Sequence, residues 1–377
     1  MSKDNTSISR RNLLKAMAAA GAVGTMGGFG IRSVLAAPKT VNMGFVYVGP
    51  RDDYGYNQAH YEGKSAVAKL DWVKAFDEEN VPETIEVVKT MESMINLNGA
   101  QVLFPTSFGY FNPFILETAP KYPDVMFLHC GGLWKEGYPS NVGSYFGYID
   151  EPVYLSGLVA GHMSKTGKLG FIAAIPIPQV LRNINNFTMA ARSVNPKITT
   201  TVVFTGGWSN PVKEAEAANA MADQGIDVLT CHVDSPKVVV QTAEKRGIYC
   251  CGYHTDQSVL APKGFLTGAE WNWSKVYTDY AGMIKTGKKI PNLIRGGLKE
   301  GIVKSSPYGK AVTAKAKAHA DEVRAKFMKG DMIVYKGPIK DNTGKVVIPK
   351  DKSYAQTDIW LESMDWLVEG VIGTTKG

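Results

Sequence analysis

One short segment near the start of the chain combines carboxylates, an amide and aromatic rings. The segment YVGPRDDYGYNQAHYEG, residues 47–63, contains Asp52 and Asp53, the ring of Tyr56 and the amide of Asn57. It follows the apolar run VNMGFVY, which is typical of a strand. Neighbouring carboxylates can perform acid–base catalysis, and carboxylates beside aromatic rings can also hold a flat polar ligand. The segment alone leaves both chemistries open.

Comparable side chains follow other strand-like runs further along the chain. Phe108 occurs in PTSFGYF, Trp208 in FTGGWSN, Asp234 in HVDSPK and Asp256 in GYHTDQS. Each loop alone could be ordinary turn chemistry. In an open parallel sheet, however, the ligand crevice lies beyond the carboxyl ends of the strands. Because such loops recur in both halves of the chain, we predict that together they line a cleft between two domains.

The elements that must position these loops alternate in type along most of the chain. Short β-branched runs such as KLGFIAAI and DVLTCHV alternate with helical patterns such as YNQAHYEGKSAVAKL and EPVYLSGLVAGHMSK. This alternation predicts an α/β protein whose parallel sheets are covered by helices on both faces. The alternation restarts near residue 150, and the length exceeds that of a usual single domain. We therefore predict two α/β units.

The first residues predict export. SRRNLLK is a twin-arginine pattern, followed by the weakly apolar AMAAAGAVGTMGGFG and by VLAA. This combination predicts a Tat-type signal peptide over residues 1–37 and a periplasmic location. The apolar core is too short and too rich in glycine to span a membrane stably. No cysteine follows the cleavage region, so we expect a soluble mature protein that is not a lipoprotein.

The charge balance argues against a nucleic-acid partner. The predicted signal carries five basic side chains and one acid, so its removal lowers the net charge from +7 to +3. That charge is too small to predict a nucleic-acid surface.

The four cysteines predict neither a metal site nor a cofactor. A disulfide from Cys231 to Cys250 or Cys251 is conceivable in an oxidising compartment, and buried free thiols are the favoured alternative. Vicinal cysteines do not have the spacing of a zinc knuckle, and His232 and His254 lie at no recognised ligand interval.

Several segments together resemble one family of solute-binding proteins. These are GFVYVGPRDDYGYNQAHYEG, PKYPDVMFLHCGG, YLSGLVAGHMSKTGKLGFIAAIPIP and CGYHTDQS. They are similar to the basic membrane protein family, also called PnrA-like, whose members serve ABC importers and bind purine nucleosides or nucleobases. The resemblance implies a periplasmic-binding-protein type I fold, with two Rossmann-like lobes and a hinge that the chain crosses three times. It also implies an interlobe cleft for a small ligand and an ABC permease as partner.

On this resemblance, lobe 1 comprises residues 38–149 and 256–298, and lobe 2 comprises residues 150–255 and 299–377. The charged, alanine-rich segment at 311–330 predicts a helix that covers a lobe surface and has no ligand contact.

The resemblance also implies particular ligand contacts. In the family the first-strand turn carries an acid, then an aromatic residue and an asparagine, an order that Asp53, Tyr56 and Asn57 reproduce. Asp256 matches an acid after a late strand of the second lobe. EWNW matches a segment in which the family places a tryptophan, so we predict a contact from Trp273, with Trp271 as the alternative.

A purine needs rings above and below it and polar groups along its edge. The predicted ligand residues are therefore Asp53, Tyr56, Asn57, Phe108, Trp208, Asp234, Asp256 and Trp273, with a weaker case for Asp52. Each has a structural alternative. Asp53 could cap a helix, Phe108 could be core, Trp208 could brace a turn, and the tryptophans of EWNW could pack the hinge.

The predicted function is purine binding for import, with adenine slightly ahead of nucleosides. Nucleotides are disfavoured because the loops hold few lysines or arginines to bind a phosphate. A sugar ligand on the same fold, a signalling receptor and a nucleoside hydrolase are the alternatives. Nucleoside hydrolases typically carry a D-x-D-x-x-x-D-D calcium cluster, which RDDYGYN lacks. No G-x-S-x-G, H-E-x-x-H or P-loop motif occurs, so we predict no enzyme activity.

Overall fold

The structure is a computed structural model that describes residues 39–375. The predicted signal peptide at residues 1–37 lies outside the described residues. Within the described part, none of the helices is long and apolar enough to cross a membrane.

Parallel strands form two separate sheets. The strands are β1 (Val41–Val46), β2 (Val73–Glu78), β3 (Val102–Pro105), β4 (Met126–Cys130), β5 (Val142–Gly147), β6 (Lys168–Ala173), β7 (Thr199–Phe204), β8 (Val228–His232), β9 (Tyr249–His254), β10 (Phe265–Trp271), β11 (Leu293–Gly296) and β12 (Val303–Ser305). A further strand, β17 (Val371–Ile372), joins the second sheet from the tail.

The two sheets have related strand orders. The first has the order β11-β5-β4-β3-β1-β2, and all of its pairs are parallel. The second has the order β12-β10-β9-β8-β6-β7-β17, with one antiparallel pair between β10 and β12. Central strands of both sheets are buried throughout, as continuous apolar runs such as VLFP and VLTCH require. The predicted α/β class and the two Rossmann-like lobes are confirmed.

Helices cover both sheets. They are α1 (Tyr56–Val67), α2 (Glu86–Asn98), α3 (Asp150–Met163), α4 (Pro178–Val194), α5 (Pro211–Asp223), α6 (Lys237–Lys245), α7 (Trp273–Lys285) and α8 (Ala314–Lys329). Short helical turns occupy Phe108–Tyr110, Phe111–Ile115, Leu116–Thr118, Ala119–Lys121, Ser258–Leu260 and Ile359–Ser363.

The chain passes between the two sheets three times. It leaves the first sheet between β5 and α3, returns between β10 and α7, and leaves again between β11 and β12. Strand β10 pairs in the second sheet, although the sequence placed all of 256–298 in lobe 1. The reason is that GFLTGAEW continues the parallel order of β9, and only the following α7 packs against α1 of the first lobe. The lobe boundaries themselves stay a prediction.

Helix α3 is buried on nearly its whole circumference. After the acidic first turn it is largely apolar on all sides, as expected for a helix inside a core, and it packs against α4, α8 and β10. Two glycines permit the close approach to α4. A Cβ at Gly157 would lie 2.3 Å from the carbonyl oxygen of Phe187, and a Cβ at Gly161 would lie 2.8 Å from that of Ala191.

The segment after β12 wraps the second lobe. The helix predicted over residues 311–330 is confirmed as α8, which buries Ala316, Ala320, Val323 and Phe327. The tail then forms two small antiparallel pairs and adds an edge strand beside β7. These strands are β13 (Tyr335–Lys336), β14 (Ile339–Lys340), β15 (Val346–Ile348), β16 (Ser353–Tyr354) and β17 (Val371–Ile372).

Asn185 on α4 anchors the tail. Its side-chain oxygen accepts a hydrogen bond from the Val368 backbone at 2.7 Å, and its Nδ2 donates to the Trp366 carbonyl at 3.0 Å.

All four cysteines are buried free thiols, so the structure contains neither of the disulfides that were left open.

Glycine-to-alanine substitutions should have opposite effects on stability at a helical glycine in the α3–α4 contact and at one that faces open space. Gly157→Ala should lower the free energy of unfolding by about 1–3 kcal/mol, because the new methyl group meets backbone atoms of α4. In Gly282→Ala on α7, the new Cβ would meet no atom within 4 Å apart from its own helix backbone. This substitution should therefore raise the free energy of unfolding by about 0.5–1 kcal/mol. Urea denaturation of both variants measures the difference, and equal effects would contradict the close packing.

Candidate functional site

The carboxyl ends of both sheets face one cleft that contains two adjoining cavities. The ring cavity, of about 60 Å³, is lined by Tyr56, Phe108, Phe146, Trp208 and Trp271 together with Asp234. The charged cavity, of about 290 Å³, is lined by Asp150, Arg182, Arg295 and Glu362. Phe108, Phe146 and Gln179 border both cavities, which therefore lie side by side in the cleft.

Four of the eight predicted ligand residues meet in the ring cavity. Phe108 follows β3 with 54% of its surface exposed, and Trp208 follows β7 with its ring 6.0 Å from that of His232. The ring of Tyr56 is held by a hydrogen bond from its hydroxyl to the Thr106 carbonyl at 2.6 Å. Asp234 lies beside them after β8. Flat faces and one acid thus converge from both lobes.

The carboxylate of Asp234 is an acidic group of this cavity without a hydrogen-bond partner among residues 39–375. No side-chain or backbone group of residues 39–375 donates a hydrogen bond to it, although its backbone bonds to Trp208 and Tyr56. Burial, with smaller contributions from the carboxylates of Asp53, Glu83 and Glu214, raises the pKa of Asp234 well above its usual value. A ligand N–H or amine would supply the missing donor.

Asp53 and Asn57 have structural roles. The Asp53 carboxylate accepts hydrogen bonds from the backbone of Gly55 at 2.8 Å, Asn57 at 3.0 Å and Gln58 at 2.9 Å, and from the Asn57 side chain at 2.8 Å. It therefore satisfies the free N–H groups at the start of α1, the capping alternative that the sequence had offered. Asn57 in turn accepts from the Gly49 backbone at 3.2 Å. Neither side chain lines either cavity.

Asp256 and Trp273 also lie outside the cavities. Asp256 is exposed, and its carboxylate accepts a bond from the Ser258 backbone at 2.9 Å, which is a local turn contact. Trp273 is buried and stacks between His60, at 5.2 Å, and Trp271, at 4.8 Å. Trp271 is the member of EWNW that reaches the cavity, because it ends β10 whereas Trp273 begins α7.

Phe146, His232 and His254 also line the ring cavity, and none of them was among the predicted ligand residues. All three lie at the ends of strands β5, β8 and β9, so the strand-end rule could have found them. Burial lowers the pKa of His232 to about 3 and that of His254 well below its usual value, so both rings are neutral. His254 accepts from the Trp271 indole at 2.8 Å, so its other nitrogen donates to the Val233 carbonyl at 3.0 Å.

The charged cavity was not predicted. Arg182 on α4 donates to the carboxylates of Asp150 at 3.0 Å and Glu362 at 3.1 Å, and Arg295 on β11 donates to the same Glu362 oxygen at 2.8 Å. Local sequence carries no signal for this cluster, since its members come from α3, α4, β11 and the tail.

Backbone contacts join the two lobes beside the ring cavity. The Tyr56 amide donates to the Asp234 carbonyl at 2.8 Å, and the Ser235 hydroxyl donates to the Asp53 carbonyl at 2.7 Å. Only glycine fits at position 55, because a Cβ there would lie 1.9 Å from the Asp234 carbonyl oxygen.

A family model describes the chain. The model of the PnrA-like ABC transporter substrate-binding proteins matches residues 40–337. The chain belongs to this family. The resemblance inferred from the sequence is thereby confirmed, as is the general function of an ABC solute-binding protein.

Two relatives and a solved structure show what the chain resembles. A protein of Brucella abortus named as purine-binding is 33% identical over 93% of this chain and 98% of its own length. A protein of Haloferax volcanii, provisionally named as an ABC transporter glucose-binding protein, is 31% identical over 79% of this chain and 75% of its own. A solute-binding protein of an ABC transporter from Conexibacter woesei is 19% identical, with a TM-score of 0.64 over 78% of this chain and 98% of its own. That structure supports the fold alone.

No group of three or more His, Cys, Asp or Glu side chains in the described part is arranged to hold a metal ion.

The roles assigned to the two aspartates predict different losses of stability. Asp53→Ala should lower the free energy of unfolding by about 2 kcal/mol, because it removes the acceptor for several buried donors. Asp256→Ala should cost about 0.5 kcal/mol or less, since its one bond is exposed. Chemical denaturation compares the two variants, and a larger loss for Asp256→Ala would contradict these roles.

Proposed function

We propose that this protein binds a purine in the ring cavity and delivers it to the permease of an ABC importer. The observation that carries the proposal is the unpaired carboxylate of Asp234 among the rings of Tyr56, Phe108 and Trp208. The rings can stack on the faces of a purine, and the carboxylate can accept from a ring N–H or an exocyclic amine. The purine-binding relative supports the same ligand class.

We further propose that the mature protein works in the periplasm and catalyses no reaction. The twin-arginine pattern of residues 9–15 supports export. The neutral histidines of the ring cavity, His232 and His254, form hydrogen bonds with other protein groups. These bonds fix the two rings as part of the cavity wall, which fits a role in binding. A turnover assay with purine nucleosides tests the second part, since release of a free base would overturn it.

A sugar is the second candidate ligand. The charged cavity offers several polar groups to hydroxyls, and one relative is provisionally named for glucose. A thermal-shift screen against purine bases, nucleosides, pentoses and hexoses separates the candidates, because a ligand that binds the native state raises the melting temperature. A shift with a sugar and none with any purine would overturn the purine proposal.

Removing the Trp208 ring should weaken purine binding. Trp208→Ala should raise the Kd roughly tenfold to a hundredfold, as expected for the loss of one stacking face. Trp72→Ala is the control, because Trp72 lies at the opposite end of the first sheet, just before β2, and lines neither cavity. Titration calorimetry measures both, and equal effects would contradict a stacking role for Trp208.

The Asp234 carboxylate should make purine affinity depend on pH. Because its pKa is raised, lowering the pH protonates Asp234 earlier than an ordinary aspartate, and the neutral acid no longer accepts from the ligand. Affinity should therefore fall as the pH drops through this raised pKa. Asp234→Asn should bind at least tenfold more weakly at neutral pH and lose this dependence. An unchanged pH profile in the variant would contradict the assignment.

Ligand should also compact the protein. Contacts to both lobes favour the closed arrangement, because only differential contact shifts a hinge equilibrium. Small-angle scattering of the mature protein should show a smaller radius of gyration with saturating purine. An unchanged radius would contradict closure on the ligand.

A further inference from the structure

The charged cavity combines two arginines with two carboxylates, and one of the carboxylates comes from the tail. Arg182 and Asp150 belong to the second lobe, Arg295 belongs to the first sheet, and Glu362 lies in the helical turn Ile359–Ser363. The family model ends at residue 337, so Glu362 comes from a segment beyond it. These four are the charged side chains that line the cavity in the described part of the chain, and their formal charges cancel.

One oxygen of Glu362 holds both arginines. Its Oε1 accepts from Arg182 Nη1 at 3.1 Å and from Arg295 Nη1 at 2.8 Å. Arg182 has a second carboxylate partner in Asp150, whereas Glu362 is the carboxylate partner of Arg295 among residues 39–375. Arg295 also donates to the carbonyl oxygen of Gly132, at 2.9 Å. Without Glu362, the Nη1 groups of both arginines would lose this acceptor.

Two arginines beside a ligand cavity, one buried and one half-buried, would otherwise recruit an anion. Guanidinium groups match phosphate and carboxylate geometry, and the side chain of Arg182 is only 5% exposed. The charge of the buried Arg182 is weakly screened by solvent, so the carboxylates that neutralise it affect which ligands enter the cavity. In the ring cavity, Asp234 adds a further acid.

We propose that Glu362 is a specificity-determining residue that keeps the charged cavity neutral and thereby excludes phosphorylated ligands. It occupies the guanidinium donors that a phosphate would use. The strand-end loops hold few basic residues, which by itself disfavours nucleotides as ligands. The structure places two arginines at the cleft. Because Glu362 accepts hydrogen bonds from both of them, the exclusion of anions depends on this carboxylate. This inference deepens the proposed purine function, but its first test does not depend on it.

The first test uses inorganic phosphate and pyrophosphate as probes. In Glu362→Gln the four-residue cluster gains one net positive charge, so these anions should raise the melting temperature of the variant and leave that of the wild type unchanged. Glu369→Gln is the matched control, because Glu369 lies on the same tail and pairs with Arg192 at 3.4 Å, away from both cavities. It should behave like the wild type. An equal response of all three proteins would overturn the proposal.

A double variant checks that the effect comes from charge. Glu362→Gln combined with Arg295→Gln restores neutrality in the cavity and should lose the response to phosphate. If the double variant keeps it, the anion binds elsewhere and the proposal is wrong. Circular dichroism of each variant verifies that the fold is retained, and Glu362→Ala, which also removes the carboxylate, should reproduce the gain.

The second test compares adenosine with its 5′-monophosphate by calorimetry. Glu362→Gln should improve the ratio of affinities in favour of the monophosphate roughly tenfold, as expected for one unit of charge in a partly buried site. A lower affinity for adenosine with no gain for the monophosphate would overturn the proposal. If the wild type binds no purine, the purine function fails, and the phosphate test still decides the role of Glu362.

Discussion

The hydrogen bond from the Tyr56 amide to the Asp234 carbonyl is the contact on which the ring cavity depends. It joins the first turn of α1 in one lobe to the loop after β8 in the other, and it requires glycine at position 55. The amide of Asp234 bonds to the Trp208 carbonyl at 2.7 Å, so the same backbone segment also places Trp208. Asp53 contributes indirectly, because it satisfies the other free N–H groups of that turn.

The polar groups near the ring cavity have different roles in this arrangement. Asp53 and Asn57 have their hydrogen-bonding capacity used by the protein, and they hold the backbone in place. Asp234 has its backbone bonded and its carboxylate free, so this carboxylate has hydrogen-bonding capacity left for a ligand. In the charged cavity, carboxylate partners neutralise Arg182 and Arg295, which favours uncharged ligands.

The strand-end rule explains most of what could be predicted about the site. Tyr56, Phe108, Trp208 and Asp234 each follow a strand, and parallel order brings such positions to one edge of each sheet. The same rule covers Phe146 and His254, which were not predicted ligand residues, and Trp271, which was the alternative to Trp273. It cannot separate a side chain that faces the cavity from one that holds the turn, as Asp53 and Asp256 show.

The sequence by itself determined the α/β class, the family, and the loops that border the cleft, because alternating patterns and strand-end residues are local features. Only the tertiary structure decided that Asp53 and Asn57 hold a helix start and that Trp273 stacks behind Trp271. It also decided that β10 pairs in the second sheet. The cluster of Asp150, Arg182, Arg295 and Glu362 comes from four elements far apart in the chain. Its neutrality arises only when the tail packs against the cleft, since Glu362 supplies the second negative charge and the carboxylate partner of Arg295.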